Sequence, residues 1–254
     1  SNEKVRCNPV IRHIYKWNGF ITLAGKASID HELMKKYIKR GYSFVIFPEG
    51  KRNDNSSICR FHKGAFLLAE RYQLDILPVI IHGLNVVLPR NSFQVFPGNI
   101  TIKVYKRISV EGRQSYNELT SLVYDFYKCE YKALTRELET AVYYVPLVKD
   151  RYRYKGVDSY RNVCKNLKHN DNYTKWIDTE DVHPVVIVKN SGYGEFALLY
   201  ALVHRNTQVF VFEQDENIAS MLTYCAKDIV DNLEVIDNMD IDKEKYPDAK
   251  VFSL

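Results

Sequence analysis

The sequence lacks long apolar runs. The longest ones, at residues 76–81, 185–188 and 197–203, fall far short of the eighteen or more apolar residues that a membrane-spanning helix needs. Cysteine is also scarce, since the five cysteines are scattered and include no Cys-x2-Cys pair. We therefore expect a protein of a reducing compartment that holds no disulfide framework and no metal site.

Acidic residues are under-represented in the first part of the chain. Residues 1–181 contain thirty Lys or Arg against nineteen Asp or Glu, or +11, whereas residues 182–254 contain six against twelve, or −6. A basic surface is typical of proteins that meet anionic lipid head groups at a membrane surface. Nucleic acid is the competing anion, but no recognised nucleic-acid-binding motif accompanies the charge, so we expect no nucleic-acid partner.

Hydrophobic spacing predicts an α/β fold for the first part. A helix is expected after Asp30, where Leu33, Met34, Tyr37 and Ile38 recur at helical spacing before Gly41. The capping box Ser115-x-x-Glu118 predicts a helix to about Glu139, with Leu119, Leu122, Val123, Phe126 and Leu134 on its core face. Strands are predicted at 43–47, 76–81 and 100–105, and a further helix at 62–72.

The most informative motif directly follows the predicted strand 43–47. Residues 47–53 read Phe-Pro-Glu-Gly-Lys-Arg-Asn. Pro48 ends the strand because it lacks an amide donor, and Gly50 permits backbone angles that other residues avoid. Lys51 and Arg52 can donate charge-assisted hydrogen bonds to phosphate oxygens. The motif therefore predicts an anion-binding turn.

This motif resembles the Phe-Pro-Glu-Gly-Thr-Arg-Ser block of the 1-acylglycerol-3-phosphate acyltransferases, and two later segments agree. Residues 60–70, Arg-Phe-His-Lys-Gly-Ala-Phe-Leu-Leu-Ala-Glu, resemble the segment that opens this family's next helix. Residues 75–83 resemble its proline-containing strand, and the whole resemblance covers roughly residues 18–108. It implies an acyltransferase-like α/β domain, a mixed sheet with flanking helices, within residues 1–140.

The resemblance also implies a set of substrate-binding residues. They are Glu49, Gly50, Lys51, Arg52, Arg60 and Lys63. The acceptor would be a lysophosphatidate-like glycerolipid phosphate, and the acyl donor acyl-coenzyme A or acyl-carrier protein. No cofactor and no metal is needed for such a transfer. We expect a cytoplasmic location, peripheral to or fused with an inner-membrane protein.

The catalytic motif of that family is missing. Its members use His-x4-Asp, in which the imidazole takes the proton of the acceptor hydroxyl and the aspartate orients the imidazole. None of the seven histidines is followed by an aspartate five positions later, and the nearest spelling is His13 with Asn18. We therefore assign no catalytic residue in this chain and expect it to be a fragment, with a degenerate, inactive homologue as the alternative.

Residues 141–181 are rich in tyrosine and basic residues. This segment could form a membrane-surface patch or a stacking platform for single strands. Tyr160, Val163, Cys164 and Leu167 nevertheless share one face of a helix, so we interpret the segment as a structural connector. Residues 166–171 are predicted to form a polar loop.

Residues 182–254 predict a small Rossmann-like unit. A strand at 185–188, a glycine turn, a helix at 196–203 and a strand at 209–212 follow one another, and a last strand is expected at 250–254. Gly192, Gly194 and Glu213 are the candidate cofactor-binding residues. The unit resembles S-adenosylmethionine-dependent methyltransferases, but Asn190 and Val188 replace a glycine and an acid of that family. We therefore expect weak or no S-adenosylmethionine binding.

The sequence thus predicts a glycerolipid acyltransferase fragment that needs an upstream histidine for turnover. Two other functions remain open. One is a methyltransferase, which cofactor binding would reveal, and the other is a non-enzymatic lipid-binding or scaffolding module.

Overall fold

The computed structural model of the chain describes residues 31–51, 57–88, 95–112, 115–169, 171–189, 191–237 and 246–253, with backbone only at 169 and 171–173. The chain divides into two compact units, Ser1–Phe47 and Pro48–Leu254. This division follows contacts between residues. The segments 1–140, 141–181 and 182–254, which follow sequence patterns, stay a prediction.

Helix α1 (His31–Lys39) lies in the first unit. It confirms the helix predicted after Asp30, which itself lies outside the described residues. Met34 is buried on its apolar face. Glu32 and Lys35 of the same helix form an exposed ion pair.

The strand predicted at 43–47 is not formed. These residues have no regular structure, and the described residues include no strand that pairs with them. The Val45 and Phe47 side chains are 86% and 69% exposed. Because a β-branched and aromatic composition favours a strand only where a neighbouring strand and a buried face support it, composition alone was not sufficient here.

The second unit begins with an antiparallel pair of strands. Strand β1 (Val79–His82) pairs with β2 (Thr101–Val104), and Ile76 outside β1 forms an isolated bridge with Ile108. Both strands were predicted, but they are shorter than the apolar runs that contain them. Three helices lie in the same part of the chain: α2 (Gly64–Tyr72), α3 (Leu84–Val87) and α4 (Tyr116–Leu138).

Helix α4 contributes buried residues to the core of this region. Ser115 caps it by accepting a hydrogen bond from the Glu118 amide at 3.3 Å, which confirms one half of the predicted capping box. Leu119 and Val123 pack against α2 residues, and Leu134 packs near Ile80 of β1. Leu122 was predicted on the same face but is exposed, because the core of this helix occupies a narrower stripe than the sequence pattern suggests.

The last part of the chain forms a four-stranded parallel sheet. Its strands lie in the order β5-β4-β3-β6. Strand β3 therefore pairs with β4 on one side and with β6 on the other. Helices α8 (Glu195–Val203) and α9 (Glu216–Ala226) connect its first three strands. The strands are β3 (Val185–Lys189), β4 (Gln208–Phe212), β5 (Leu233–Ile236) and β6 (Lys250–Ser253).

Residues 141–179 form three helices that share a core with this sheet. They are α5 (Ala141–Tyr152), α6 (Val157–His169) and α7 (Asp171–Thr179). Tyr144 and Tyr152 are fully buried, and Trp176 meets Phe252 edge to face at 4.6 Å between ring centroids. These aromatic residues therefore act as core rather than as a lipid or nucleic-acid surface. The predicted loop at 166–171 is wrong, since α6 continues to His169.

None of the helices in the described ranges is both long and apolar enough to cross a membrane. The same ranges contain no group of three or more His, Cys, Asp or Glu side chains that could hold a metal ion.

A buried ionic network centred on Glu139 connects the antiparallel and parallel regions. Glu139 follows α4, and its side chain is 7% exposed. His82 Nε2 at the end of β1 lies 2.9 Å from Glu139 Oε1, and the Tyr144 hydroxyl of α5 donates to Oε2. Arg205, after α8, donates to the Tyr144 hydroxyl at 3.2 Å. Four separate segments therefore meet at one carboxylate.

The pKa of Glu139 is set by two opposing effects. Burial raises it, but hydrogen bonds from His82 and Tyr144 and the charge of Arg205 outweigh burial, so the net pKa lies below the ordinary value of 4.5. The ionised carboxylate is therefore the form that the fold stabilises.

Removing this carboxylate should destabilise the chain. We expect Glu139→Ala to lower the free energy of unfolding by about 3 to 5 kcal/mol, because His82 and Arg205 lose the anion that compensates their burial. Urea unfolding followed by circular dichroism measures the change. Glu137→Ala is the matched control, since it removes an exposed carboxylate from the same helix end. Equal unfolding midpoints for the two variants would contradict a stabilising role for the network.

The same carboxylate predicts a pH dependence. Because its folded-state pKa is depressed, Glu139 contributes its stabilisation above the unfolded-state value and loses it as the pH falls through the folded-state pKa. The stability difference between the wild type and Glu139→Gln should therefore be full near pH 7 and shrink below about pH 4.5. A difference that stays constant from pH 7 to pH 3 would contradict this assignment.

Candidate anion site at the glutamate turn

Residues 48–51, which we call the glutamate turn, are held by residues 57–63, which we call the clamp segment. The Cys59 amide donates to Glu49 Oε2 at 2.8 Å. The His62 amide donates to the Pro48 carbonyl oxygen at 2.7 Å. Two backbone amides of one segment therefore fix both the backbone and the carboxylate of the turn.

The clamp segment is itself anchored in the core. Phe61 is buried and stacks on Phe66 of α2 at 6.0 Å between ring centroids. It also meets Tyr124 and Tyr127 of α4 edge to face, each at 5.3 Å. The sequence Arg-Phe-His-Lys thus alternates a buried anchor with polar neighbours, and the anchor determines where the amides of the clamp segment lie.

Gly50 lies against the ring of His62. Its φ angle is +69°, a left-handed conformation that favours glycine. A Cβ atom placed on Gly50 would lie 2.9 Å from Cδ2 and 3.0 Å from Nε2 of His62. The turn therefore requires glycine for its backbone angle, and His62 occupies the space that a side chain would need.

Burial raises the pKa of Glu49, and the hydrogen bonds from the Cys59 amide and thiol offset this only in part. The carboxylate lies in a partly dry site but keeps backbone support. An ionised carboxylate has about four acceptor positions, so Glu49 can accept a hydrogen bond from a ligand hydroxyl in addition to those from Cys59.

The candidate cations differ in their surroundings. Lys51 is exposed at the end of the glutamate turn, and Arg60 is exposed between the two anchoring amides of the clamp segment. Lys63 is instead bound to the start of α4: its ammonium donates to Asn117 Oδ1 at 2.7 Å and lies 6.0 Å from the Tyr116 ring centroid. Arg52 lies outside the described residues. The contacts of the turn thus bring Glu49 and Gly50 against Cys59 and His62, while Lys51 and Arg60 adjoin these residues along the chain.

The candidate cofactor residues lie at the carboxyl ends of strands β3 and β4. Gly194 precedes α8 with φ +83°, and a Cβ atom on it would lie 2.5 Å from Leu222 of α9. Gly192 is also left-handed, at φ +63°. Glu213 Oε1 accepts a hydrogen bond from the Asp215 amide at 2.9 Å, which supports the turn into α9.

A cleft of about 420 Å³ adjoins these residues. Its walls include Lys155, Ser159, Tyr193, Asp215, Asn217 and Met221. The Asp215 carboxylate caps α9 by accepting from the Asn217 amide at 2.8 Å. This acid therefore already supports a helix end.

The sequence analysis assigned no role to two buried acids, Glu139 and Glu195. Glu139 contacts His82, which lies 57 positions away, so no local spacing could reveal that contact. Glu195 is buried at the first position of α8. An acid directly after a glycine turn was the available signal, since acids are favoured in the first turn of a helix.

Comparison with known proteins agrees with the motif at the glutamate turn. Residues 3–82 match a protein-family model described as Acyltransferase. A 1-acyl-sn-glycerol-3-phosphate acyltransferase of Cocos nucifera is 28% identical over 98 residues, which cover 38% of this chain and 32% of that protein. The human beta form is 31% identical over 81 residues, covering 32% and 29%.

The mouse alpha form of the same enzyme is 28% identical over 123 residues and covers 42% of this chain and 43% of its own length. A solved structure of the 1-acyl-sn-glycerophosphate acyltransferase of Thermotoga maritima is 24% identical with a TM-score of 0.47, covering 52% of this chain and 54% of that one. The chain therefore spans less than half the length of these curated relatives. Its similarity to glycerolipid acyltransferases lies in its first half.

Gly50 offers a direct test of the site's geometry. We expect Gly50→Ala to cost about 1 to 2 kcal/mol of stability from its left-handed backbone, and more because the methyl group must displace the His62 ring. Gly112→Ala is the matched control, since Gly112 has φ +76° and no atom within 4 Å of the added Cβ. The excess cost of Gly50→Ala should vanish in a His62→Ala background. Equal costs for the two single variants in urea unfolding would show that the ring moves aside freely.

Proposed function

We propose that this chain carries the acceptor-binding part of a glycerolipid acyltransferase. The acceptor is a lysophosphatidate-like molecule, and the acyl donor is acyl-coenzyme A or acyl-carrier protein. The observation that carries the proposal is the glutamate turn, in which a supported carboxylate and a left-handed glycine precede an exposed lysine inside a segment that matches the Acyltransferase model.

Each residue has a role that follows from its chemistry. Glu49 accepts a hydrogen bond from a glycerol hydroxyl, while its other contacts with Cys59 keep it in place. Gly50 leaves the backbone accessible to the substrate. Lys51, Arg52 and Arg60 provide charge-assisted hydrogen bonds to the phosphate. Lys63 contributes less directly, because its ammonium is engaged with Asn117.

We further propose that the general base comes from outside this sequence. Acyl transfer to a hydroxyl needs a group that takes the hydroxyl proton as the carbonyl carbon is attacked, and the thiol of the donor then leaves. The sequence contains no His-x4-Asp pair that could do this. We propose a site of action at a cytoplasmic membrane surface, which the +11 charge of residues 1–181 favours.

For residues 182–254 we propose a Rossmann-like half that does not act as a methyltransferase. Its support is the parallel strand order β5-β4-β3-β6 together with left-handed glycines at the end of the first strand. The buried Glu195 carboxylate beside these glycines would repel the methionine carboxylate of S-adenosylmethionine if that group lay at the same place. A non-enzymatic lipid-binding module is the remaining alternative, which upstream sequence with the His-x4-Asp motif would exclude.

The chain by itself should show no normal acyltransferase turnover. A positioned general base contributes about 100 to 10,000-fold, and binding of the acceptor does not replace it. Release of coenzyme A thiol from an acyl-coenzyme A donor, with lysophosphatidate as acceptor, provides the assay. Turnover at about 1 per second or faster would contradict the absence of a base.

Anion binding should persist without turnover. We expect glycerol-3-phosphate to bind the full chain and Arg52→Ala, Lys51→Ala or Arg60→Ala each to weaken it about tenfold, because each removes a charge-assisted hydrogen bond. Lys132→Ala, which removes an exposed charge from α4, is the control. Isothermal titration calorimetry measures the affinities. Equal losses in all four variants would mean that only net charge attracts the ligand, which would contradict a phosphate site at the glutamate turn.

A further inference from the structure

The glycine turn before α8 already contains a carboxylate. The Glu195 side chain, at the first position of that helix, is 1% exposed. Its Oε2 accepts from the Tyr193 amide at 3.2 Å, and both of its oxygens lie 3.9 Å from the position of a Cβ atom on Gly192. The side chain therefore folds back over the turn instead of extending into solvent.

The position is one where a ligand anion would be favoured. The amide groups at a helix N-terminus are unpaired and carry partial positive charge, so carboxylates and phosphates bind there. Isolated burial of a carboxylate is unfavourable, and burial raises the pKa of Glu195. The hydrogen bonds from Asn166 and the Tyr193 amide offset part of that cost. These hydrogen bonds therefore hold the carboxylate in the turn although burial disfavours its charge.

Helices α5 and α6 hold this arrangement in place. Asn166 Nδ2 of α6 donates to Glu195 Oε1 at 2.7 Å. The Tyr152 hydroxyl of α5 donates to the Tyr193 carbonyl oxygen at 2.7 Å. The glycine turn is therefore fixed from outside the sheet, and its amide and carbonyl groups already have partners within the chain.

A second observation shows that the turn is built for polar contacts. The Ser191 side chain is 3% exposed, and its hydroxyl has no hydrogen-bond partner among the described residues. Buried hydroxyl groups normally have a partner. The turn thus retains one buried hydroxyl that no described residue pairs.

We propose that the Glu195 carboxylate occupies the anion position of the glycine turn and thereby determines which ligands the turn rejects. A ligand that brings its own carboxylate or phosphate to this position must displace Glu195 from a buried and hydrogen-bonded site. Without Glu195, the same position accepts a small carboxylate. This assignment is independent of the acyl-transfer proposal, because it concerns a different turn and is tested without any acyl substrate.

Chemical rescue in the full chain tests the proposal. We expect Glu195→Ala and Glu195→Ser to lower the Tm by roughly 3 to 10 °C, and formate to restore at least half of that loss. Glu195→Gln should lose stability too, but formate should not restore it, because the amide still fills the space. Glu216→Ala, which removes an exposed carboxylate from the first turn of α9, should respond to formate only as the wild type does.

Two results would overturn the proposal. One is a Glu195→Gln variant as stable as the wild type, which would show that the turn does not need an acceptor oxygen facing both Asn166 and the Tyr193 amide. This result does not depend on whether Glu195→Ala and Glu195→Ser fold. The other is an increase in Tm with formate that is as large in Glu216→Ala as in Glu195→Ala and Glu195→Ser. Such a result would show a general salt effect and not the filling of an anion position.

Discussion

The carboxylate of Glu139 is the interaction on which the arrangement of the second unit depends. It is the point where the end of β1, the end of α4, the buried tyrosine of α5 and the residue after α8 meet. Each partner is polar and at least partly buried, so the folded chain would lose stability if these groups had no carboxylate to bind. The antiparallel strands and the parallel sheet are thus joined by one ionised group as well as by apolar packing.

Anchoring of this kind also explains why the glutamate turn is well defined. Glu139 directly follows helix α4, and within the helix Tyr127 accepts a hydrogen bond at its hydroxyl from the Val79 amide at 3.0 Å. Tyr127 and Tyr124 also enclose Phe61 of the clamp segment. One helix therefore contacts both β1 and the clamp segment. The backbone donors that hold Glu49 thus come from a segment anchored on α4.

The sequence was informative where local chemistry decides the structure. Caps, glycine stops and helical spacing predicted α1, α2, α4 and α8, and β-branched runs predicted β1 and β3. It failed at 43–47, where strand formation depends on a distant partner, and it missed α9 and β5 entirely. The contact between His82 and Glu139 and the clamp on Glu49 are also nonlocal. Spacing within a motif carries no information about such contacts.

The two glycine-containing turns use a carboxylate in opposite ways. At the glutamate turn, Glu49 is partly buried, Lys51 two positions later is exposed, and Arg60 is exposed next to Cys59, whose amide holds Glu49. At the turn before α8, Glu195 is buried and its oxygens already accept from Tyr193 and Asn166. A carboxylate that is supported but accessible favours ligand binding, whereas one that is fully paired favours closure. The glutamate turn therefore keeps a carboxylate within reach of a ligand, whereas the carboxylate of the turn before α8 is already paired within the chain.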